Sequence, residues 1–396
     1  MSTTVPAHVP PDRVRDFDFL KMVGETDVHS WFKQLHDGPD FFYTPRQGGH
    51  WVATRYADME AILVNNEDFS SEHSSLPREG KPFRVTLLES DEPIHTEFRR
   101  IVAPFLAPKV IGDLERKARH TTIELIEGFK AKGECDFVND FALRMPIGIF
   151  MGLVDLPDKD RESLIGIAVD LVRGQPEQQA SAFQRAAQYM GQKYAERGAN
   201  PGSDILSALV QAKVDGGRPL DQMELLGIGV LLLAGGLDTV AALLSFSMNF
   251  LARSPDHRRQ ILDNPERIPD IAEELMRRFH VVNIARIAVR DMEFRGVQLK
   301  AGDAILIPTV AAGIDDQQYP DPMKVDFERS NKRSLIFGRG KHQCVGMFLA
   351  RAELKVFLEE WFKRIPDFQI KPGEQPVFVP GRASAGLYLP LVWNLD

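Results

Sequence analysis

The segment Phe337-Gly338-Arg339-Gly340-Lys341-His342-Gln343-Cys344-Val345-Gly346 delivers a cysteine from a glycine-rich loop to the start of a helical run, Met347 to Arg351. A helix N-terminus and basic neighbours favour the thiolate over the thiol, so Cys344 reads as a poised ligand or nucleophile. A nucleophile would need a base positioned in space, and zinc would want four donors where this region offers Cys344 and His342. A buried structural cysteine is the bland alternative. A second pattern, Ala234-Gly235-Gly236-Leu237-Asp238-Thr239, puts two glycines and a charge inside an apolar helical run. Each glycine costs about 1 kcal/mol relative to alanine there. Either another helix packs closely on the glycines, or a flat ligand approaches the backbone with an acid, Asp238, and an alcohol, Thr239, beside it. Two pairs at helical spacing complete the chemistry: His95 and Arg99, donors one turn apart, and Glu274 and Arg277, an acid and a base sharing one face. On a solvated surface the latter pair would be worth only tenths of a kcal/mol.

These groups must be positioned by a chain of 396 residues, 43% hydrophobic and 26% charged, which excludes disordered, collagenous and coiled-coil classes. A formal net charge of −8 is the wrong sign for wrapping nucleic acid or anionic lipid. With Cys135 and Cys344 the only cysteines, no disulfide framework is expected, and a reducing cytoplasm fits. The first twenty residues lack the basic start and apolar run of a signal peptide, and residues 1–16 are expected to form a loose arm. The apolar stretch Leu225 to Leu237 falls short of the roughly 20 residues of a membrane span; it reads as part of a buried helix from Asp221 to Ala252, about 48 Å long.

Apolar spacing of the helical period, such as Ile111, Leu114, Ala118, Leu125 and Phe129, predicts a helical core over residues 92–285. A further helix is expected over 346–363. Alternating runs predict β-rich parts near 41–56, 286–308 and 366–396, including a strand from Ala288 to Phe294 joined to Val297 to Leu299 at Arg295-Gly296. Ser254-Pro255 and Asn264-Pro265 mark helix starts. The fold class is therefore mainly α with a small β region, and residues 17–396 are expected to form one domain.

The cysteine loop resembles the haem-binding loop of cytochrome P-450 monooxygenases, and the resemblance spans nearly the whole chain in matching order. Leu231 to Val240, Leu244 to Met248, Ile365 to Phe368 and Leu389 to Trp393 look especially like the bacterial camphor-hydroxylase subgroup. The resemblance implies a cytochrome P-450 fold as a single haem-thiolate domain, haem b as cofactor and dioxygen as co-substrate. Cys344 would be the proximal thiolate of the haem iron, with Phe337 packed beside the sulfur and Gly338 letting backbone N–H groups approach it. Glu274 and Arg277 match the family's Glu-x-x-Arg element, with Arg329 as the third member of a structural lock. His95, Arg99, Arg286 and His342 match contacts to the haem propionates. Asp238 would relay protons from solvent, Thr239 would hydrogen-bond the oxygen being activated, and Gly235 would leave room for it.

Pocket walls are expected from Phe83, Val85 and Leu88 in the loop before His95, from Leu231 and Ala234, from Val282 and Ile284, and from Ala383. In camphor-hydroxylating relatives a tyrosine of that loop orients the substrate ketone; here the matching position is Phe83. Camphor is therefore not expected, and a terpenoid or norisoprenoid-sized apolar substrate is. No flavin or iron–sulfur motif occurs in the chain, so electrons are expected from a separate two-iron ferredoxin, with an NAD(P)H reductase upstream. That ferredoxin would dock on a basic cluster of Lys332, Arg333, Arg339 and Lys341. A haem-thiolate peroxygenase or isomerase, and a non-catalytic haem-binding sensor, are the competing classes.

Overall fold

The computed structural model describes residues 4–22, 27–78, 84–173 and 176–395. Its longest element is the Gln222–Ala252 helix, which starts where Asp221 accepts a hydrogen bond from the Glu224 N–H at 2.8 Å while the Glu224 carboxylate accepts from the Asp221 N–H at 2.8 Å. This reciprocal cap satisfies two donors that a helix start otherwise leaves unpaired. The helix is long and apolar enough to cross a membrane by length and composition, yet 61% of its most apolar window is buried inside the protein. It is the axis of the molecule, buried almost continuously from Val240 to Met248.

Around it the Arg144–Leu153 helix packs on one side, and in turn carries the Pro108–Lys130 helix, which lies along Met347–Arg364. The last contact combines charge and aromatic packing. Arg119 reaches Glu359 at 2.6 Å and Lys355 reaches Glu115 at 2.8 Å, while buried Trp361 stands edge-on to Phe137 and Phe141. The Ser254-Pro255 start lies where expected, at the first residue of Pro255–Asp263; Asn264-Pro265 opens a short 3-10 turn leading into Ile268–Arg278.

A five-stranded sheet flanks this helical body in the order Phe41–Thr44, His50–Ala53, Ala304–Pro308, Asn283–Ala288, Phe69–Ser70. Only the pair between Ala304–Pro308 and His50–Ala53 is parallel. Two expected boundaries move. Helical structure ends at Arg278 and the strand begins at Asn283, inside the segment expected to be helical, because residues 283–287 pair antiparallel with 304–308. The expected strand Ala288 to Phe294 is divided: the sheet strand stops at Ala288, and Met292–Phe294 pairs only with Val297–Leu299 through the positive-φ turn at Arg295 and Gly296. The stretch 92–285 also contains the short strands Glu134–Asp136, Lys213–Val214 and Arg218–Pro219.

Residues 4–16 are not a loose arm. Val14 bridges Tyr43, the Arg15 N–H donates to the Tyr43 carbonyl at 2.8 Å, Val9 is buried, and His8 meets Asp303 at 2.9 Å. Backbone pairing to a sheet edge fixes this segment, a partnership that its composition does not reveal.

Candidate functional site

A cavity of about 300 Å³ lies between the central helix and the cysteine loop. The helix presents Gly235, Gly236, Thr239, Val240 and Leu243 to it, at the spacing of a single face. A methyl group added at Gly236 would meet no neighbouring atom within 4 Å, and one at Gly235 only Leu231 Cδ1 at 3.6 Å. No helix packs on these glycines, so the close-packing reading fails and the cavity is what they face. The Thr239 hydroxyl donates to the Gly235 carbonyl at 2.8 Å, which turns its lone pairs away from the ladder. Asp238, one residue earlier and about 100° around the helix, is buried on another side. It borders a void of about 10 Å³ formed by Leu143, Ile147, Ile165, Ala168, Val169 and Leu237.

Opposite, Gly338 and Gly340 adopt positive φ of 65° and 71°. A side chain at Gly340 would strike the Leu63 carbonyl at 2.8 Å, so glycine is needed there both for the turn and for the close approach. The Cys344 N–H donates to the Phe337 carbonyl at 2.9 Å and closes the loop. The Arg351 guanidinium stacks 4.7 Å from the Phe337 ring centre. Cys344 lies deep in the protein, yet its surface is exposed to the cavity. Burial pushes its thiol up, against the Gly346 N–H and the charges of Arg99 and Arg351. The helix start and basic neighbours therefore do not outweigh desolvation, as the sequence pattern suggested they would. A metal cation bound there would supply the missing stabilisation of a thiolate.

His95, Arg99, Arg286 and His342 all reach the cavity wall. Arg286 is 2% exposed, donates one hydrogen bond to the Ala285 carbonyl at 2.8 Å and leaves its Nε buried without a partner. Burial pulls its guanidinium down to about 10, with Asp91 opposing. His342 is pulled down to about 3 by burial and by the charges of Arg286, His95 and Arg99, and its ring lies 3.9 Å from that of His95. His95 is lowered mainly by burial, with Glu92 at 3.4 Å pulling the other way. Arg99 forms no ion pair among the described residues and is likewise lowered by burial. Buried cations without matching anions are costly unless an anionic group joins them. A flat, dianionic group with a metal at its centre, placed between the glycine face and Cys344, satisfies every one of these residues; haem fits.

Behind this wall Glu274 and Arg277 are both 0% exposed, which removes the surface-pair reading. Glu274 accepts from Arg277 Nη2 at 2.7 Å, from Arg277 Nε at 3.0 Å, from Arg329 Nε at 3.1 Å and from the Asp326 N–H at 2.9 Å. Arg277 in turn donates to the carbonyls of Gly313, Pro322 and Lys324. The three side chains tie down the 313–329 segment that leads into the cysteine loop.

Of the expected pocket residues, Leu88, Leu231, Val282 and Ile284 line the cavity, while Phe83 lies outside the described residues. Val85, Ala234 and Ala383 do not line it. Ala234 falls off the Leu231–Gly235 face of the helix, Ala383 pairs through its backbone with Val282, and the Val85 N–H is drawn to Glu89. Leu87, Phe150, Leu153, Leu232 and Leu243 are wall residues that sequence reasoning missed. Leu243 was accessible from helical spacing beyond Thr239, but Phe150 and Leu153 come from a helix distant in sequence. Glu353 was also missed. It follows Gly346, Leu349 and Ala350 along one face of its helix, and burial raises its carboxyl well above the usual range.

The expected basic cluster is largely neutralised. Lys332 pairs with Asp270 at 2.6 Å, Arg333 and Arg339 share Glu60 at 2.6 and 3.2 Å, and Lys341 meets Glu92 at 3.3 Å. Carboxylates distant in sequence converge on it, so local charge counting overstated its field.

The cytochrome P450 family model matches residues 169–387. The chain is 36% identical to a probable cytochrome P450 127A1 of Sinorhizobium fredii, over 98% of this chain and 97% of that protein. It is 33% identical to the mycinamicin IV hydroxylase/epoxidase of Micromonospora griseorubida, over 87% of this chain and 89% of that one. The crystal structure of CYP101J2 superimposes with a TM-score of 0.92 at 37% identity, covering 99% of this chain and 100% of that one. Sequence, fold and the lining of the cavity agree: the chain belongs to the cytochrome P450 family, whose members are haem monooxygenases that use dioxygen.

Proposed function

We propose that this monooxygenase hydroxylates a small apolar substrate of terpenoid or norisoprenoid size, with electrons from a two-iron ferredoxin. The observation that carries the substrate class is the wall itself. Leu87, Leu88, Leu231, Leu232, Val282 and Ile284 face the space beside Thr239, and among the described residues Thr239 is the polar side chain on the Gly235–Leu243 helix face. Such a site binds by burial of apolar surface and selects by shape, each buried methylene contributing about 0.8 kcal/mol.

In this reading Cys344 holds the iron, and Arg99, Arg286, His95 and His342 hold the propionates. Haem, when bound, supplies the iron at which dioxygen is activated. Thr239, whose hydroxyl proton is given to the Gly235 carbonyl, would present its oxygen as a hydrogen-bond acceptor toward that centre. Asp238, buried on the far side of the helix, supplies the carboxylate that would pass protons toward the site. The leucine wall excludes bulk water from the rest of the site.

Ferredoxin docking is assigned to the face around Arg333, Arg339, Lys332 and Lys341, where the shared Glu60 leaves the two arginines with a net positive charge. The test is direct. Reduced holoprotein with carbon monoxide should give the strongly red-shifted Soret band of a thiolate ligand. Apolar terpenoids such as limonene should then shift the ferric spin state more strongly than camphor. Camphor binding as tightly as any of them would overturn the substrate class.

A further inference from the structure

Between the sheet and the central helix, a carboxylate that plays no part in the chemistry above ties two stretches of backbone together. Glu89 is 2% exposed. Its Oε1 accepts from both the N–H and the hydroxyl of Ser74 at 3.1 Å, and its Oε2 accepts from the Val85 N–H at 3.0 Å. Ser74 is itself fixed, since its carbonyl accepts from the Ala285 N–H at 2.7 Å, within the strand that carries Ile284 to the cavity. The Arg382 guanidinium, largely buried, feels the Glu89 charge and donates to the Leu76 carbonyl at 3.2 Å. Two residues before Glu89, Leu87 has φ of 76°. A leucine in that region persists only where its surroundings over-determine the backbone. On the other side Gly227 of the central helix is the seat: a methyl there would come within 2.4 Å of Thr86 Oγ1 and 2.7 Å of the Arg84 carbonyl.

We propose that Glu89 is a positioning residue that holds Leu87 and Leu88 in the substrate wall, and so sets how tightly and how selectively the apolar cavity grips its ligand. The proposal deepens the apolar-substrate reading and rests on it. Glu89 contacts neither substrate nor cofactor; it acts through the backbone of 85–88, pinned between the sheet strand and Gly227.

The test uses two nitrogen ligands of the ferric haem, followed by optical titration of the holoprotein. Phenylimidazole fills the cavity and reads the leucine wall, whereas imidazole reads access to the iron alone. Glu89→Gln replaces one acceptor oxygen with a donor facing another donor. It should weaken phenylimidazole about tenfold and imidazole by less than about twofold. Glu89→Asp, which keeps the carboxylate, should recover part of the loss. Ser74→Ala, a milder change, should weaken phenylimidazole about threefold with imidazole unmoved. Equal weakening of both ligands, or no change in either across the two positions, overturns the proposal. Failure of the wild type itself to show the carbon monoxide band would overturn the haem reading, and this inference with it.

Discussion

Glu274→Ala is the most severe single test of how the site is held. The carboxylate is 0% exposed and accepts four hydrogen bonds, three of them from the guanidiniums of Arg277 and Arg329. Arg277 is 0% exposed and Arg329 8%, so removing the acid strands one buried cation and another that is nearly so. Breaking a buried pair from one side costs about 3 to 5 kcal/mol, most of it the desolvation of the partner left behind. For a chain of 396 residues at about 2.1 cal/mol/K per residue, that corresponds to a fall of roughly 5 °C in melting temperature. Because Arg277 also grips the carbonyls of Gly313, Pro322 and Lys324, the damage should reach the approach to the cysteine loop. The assay is a thermal melt of the holoprotein followed at the Soret band, beside the carbon monoxide spectrum of the reduced protein. A loss of stability with a shift of the carbonyl band toward that of a neutral ligand is expected. A variant that melts within about 1 °C of the wild type and keeps its thiolate band would refute the argument that these charges are desolvated and load the loop.

Three further predictions follow the same logic. His29 and His280 are buried neutral, pulled down to about 3 mainly by desolvation, so the unfolded chain binds more protons than the folded one below the ordinary imidazole range. Stability should be complete above about pH 6.5 and fall as the pH drops toward 3, by up to about 1.4 kcal/mol per unit for each histidine; a urea midpoint that is flat between pH 7 and 5 would contradict this. Gly227→Ala should push the 84–88 backbone off the central helix at a cost of about 1 to 3 kcal/mol, read as a lowered melting temperature together with weaker phenylimidazole binding. Glu60→Gln removes the carboxylate shared by Arg333 and Arg339, so it should lower the KM for an acidic ferredoxin and steepen its salt dependence. An unchanged KM at low and high salt would move the docking site elsewhere.

The cysteine loop, the Gly235-Gly236 pair with Thr239, and the Glu274/Arg277 spacing were legible because each is a local pattern: a turn that needs positive φ, a helix interior that tolerates a cost, two charges one turn apart. The long helix, expected over Asp221 to Ala252, was legible to within a residue at its start from its apolar run, and the structure adds the Asp221 and Glu224 cap. What stayed hidden was long-range. The N-terminal residues were fixed by Tyr43 and Asp303, the basic cluster was neutralised by Glu60, Glu92 and Asp270, and Val85, Ala234 and Ala383 were turned away from the cavity they were expected to line.

By itself, then, the sequence determined which side chains could do chemistry and on which helix or loop each would stand, because periodicity, capping and glycine placement act within a few residues. Only the tertiary structure decided that Thr239 and Cys344 line one cavity while Asp238 borders another, that burial raises the Cys344 thiol against its basic neighbours, and that Glu89 ties the 85–88 backbone to Ser74 behind the leucine wall. Burial and charge compensation depend on which distant segments meet, and that is settled only when the chain packs.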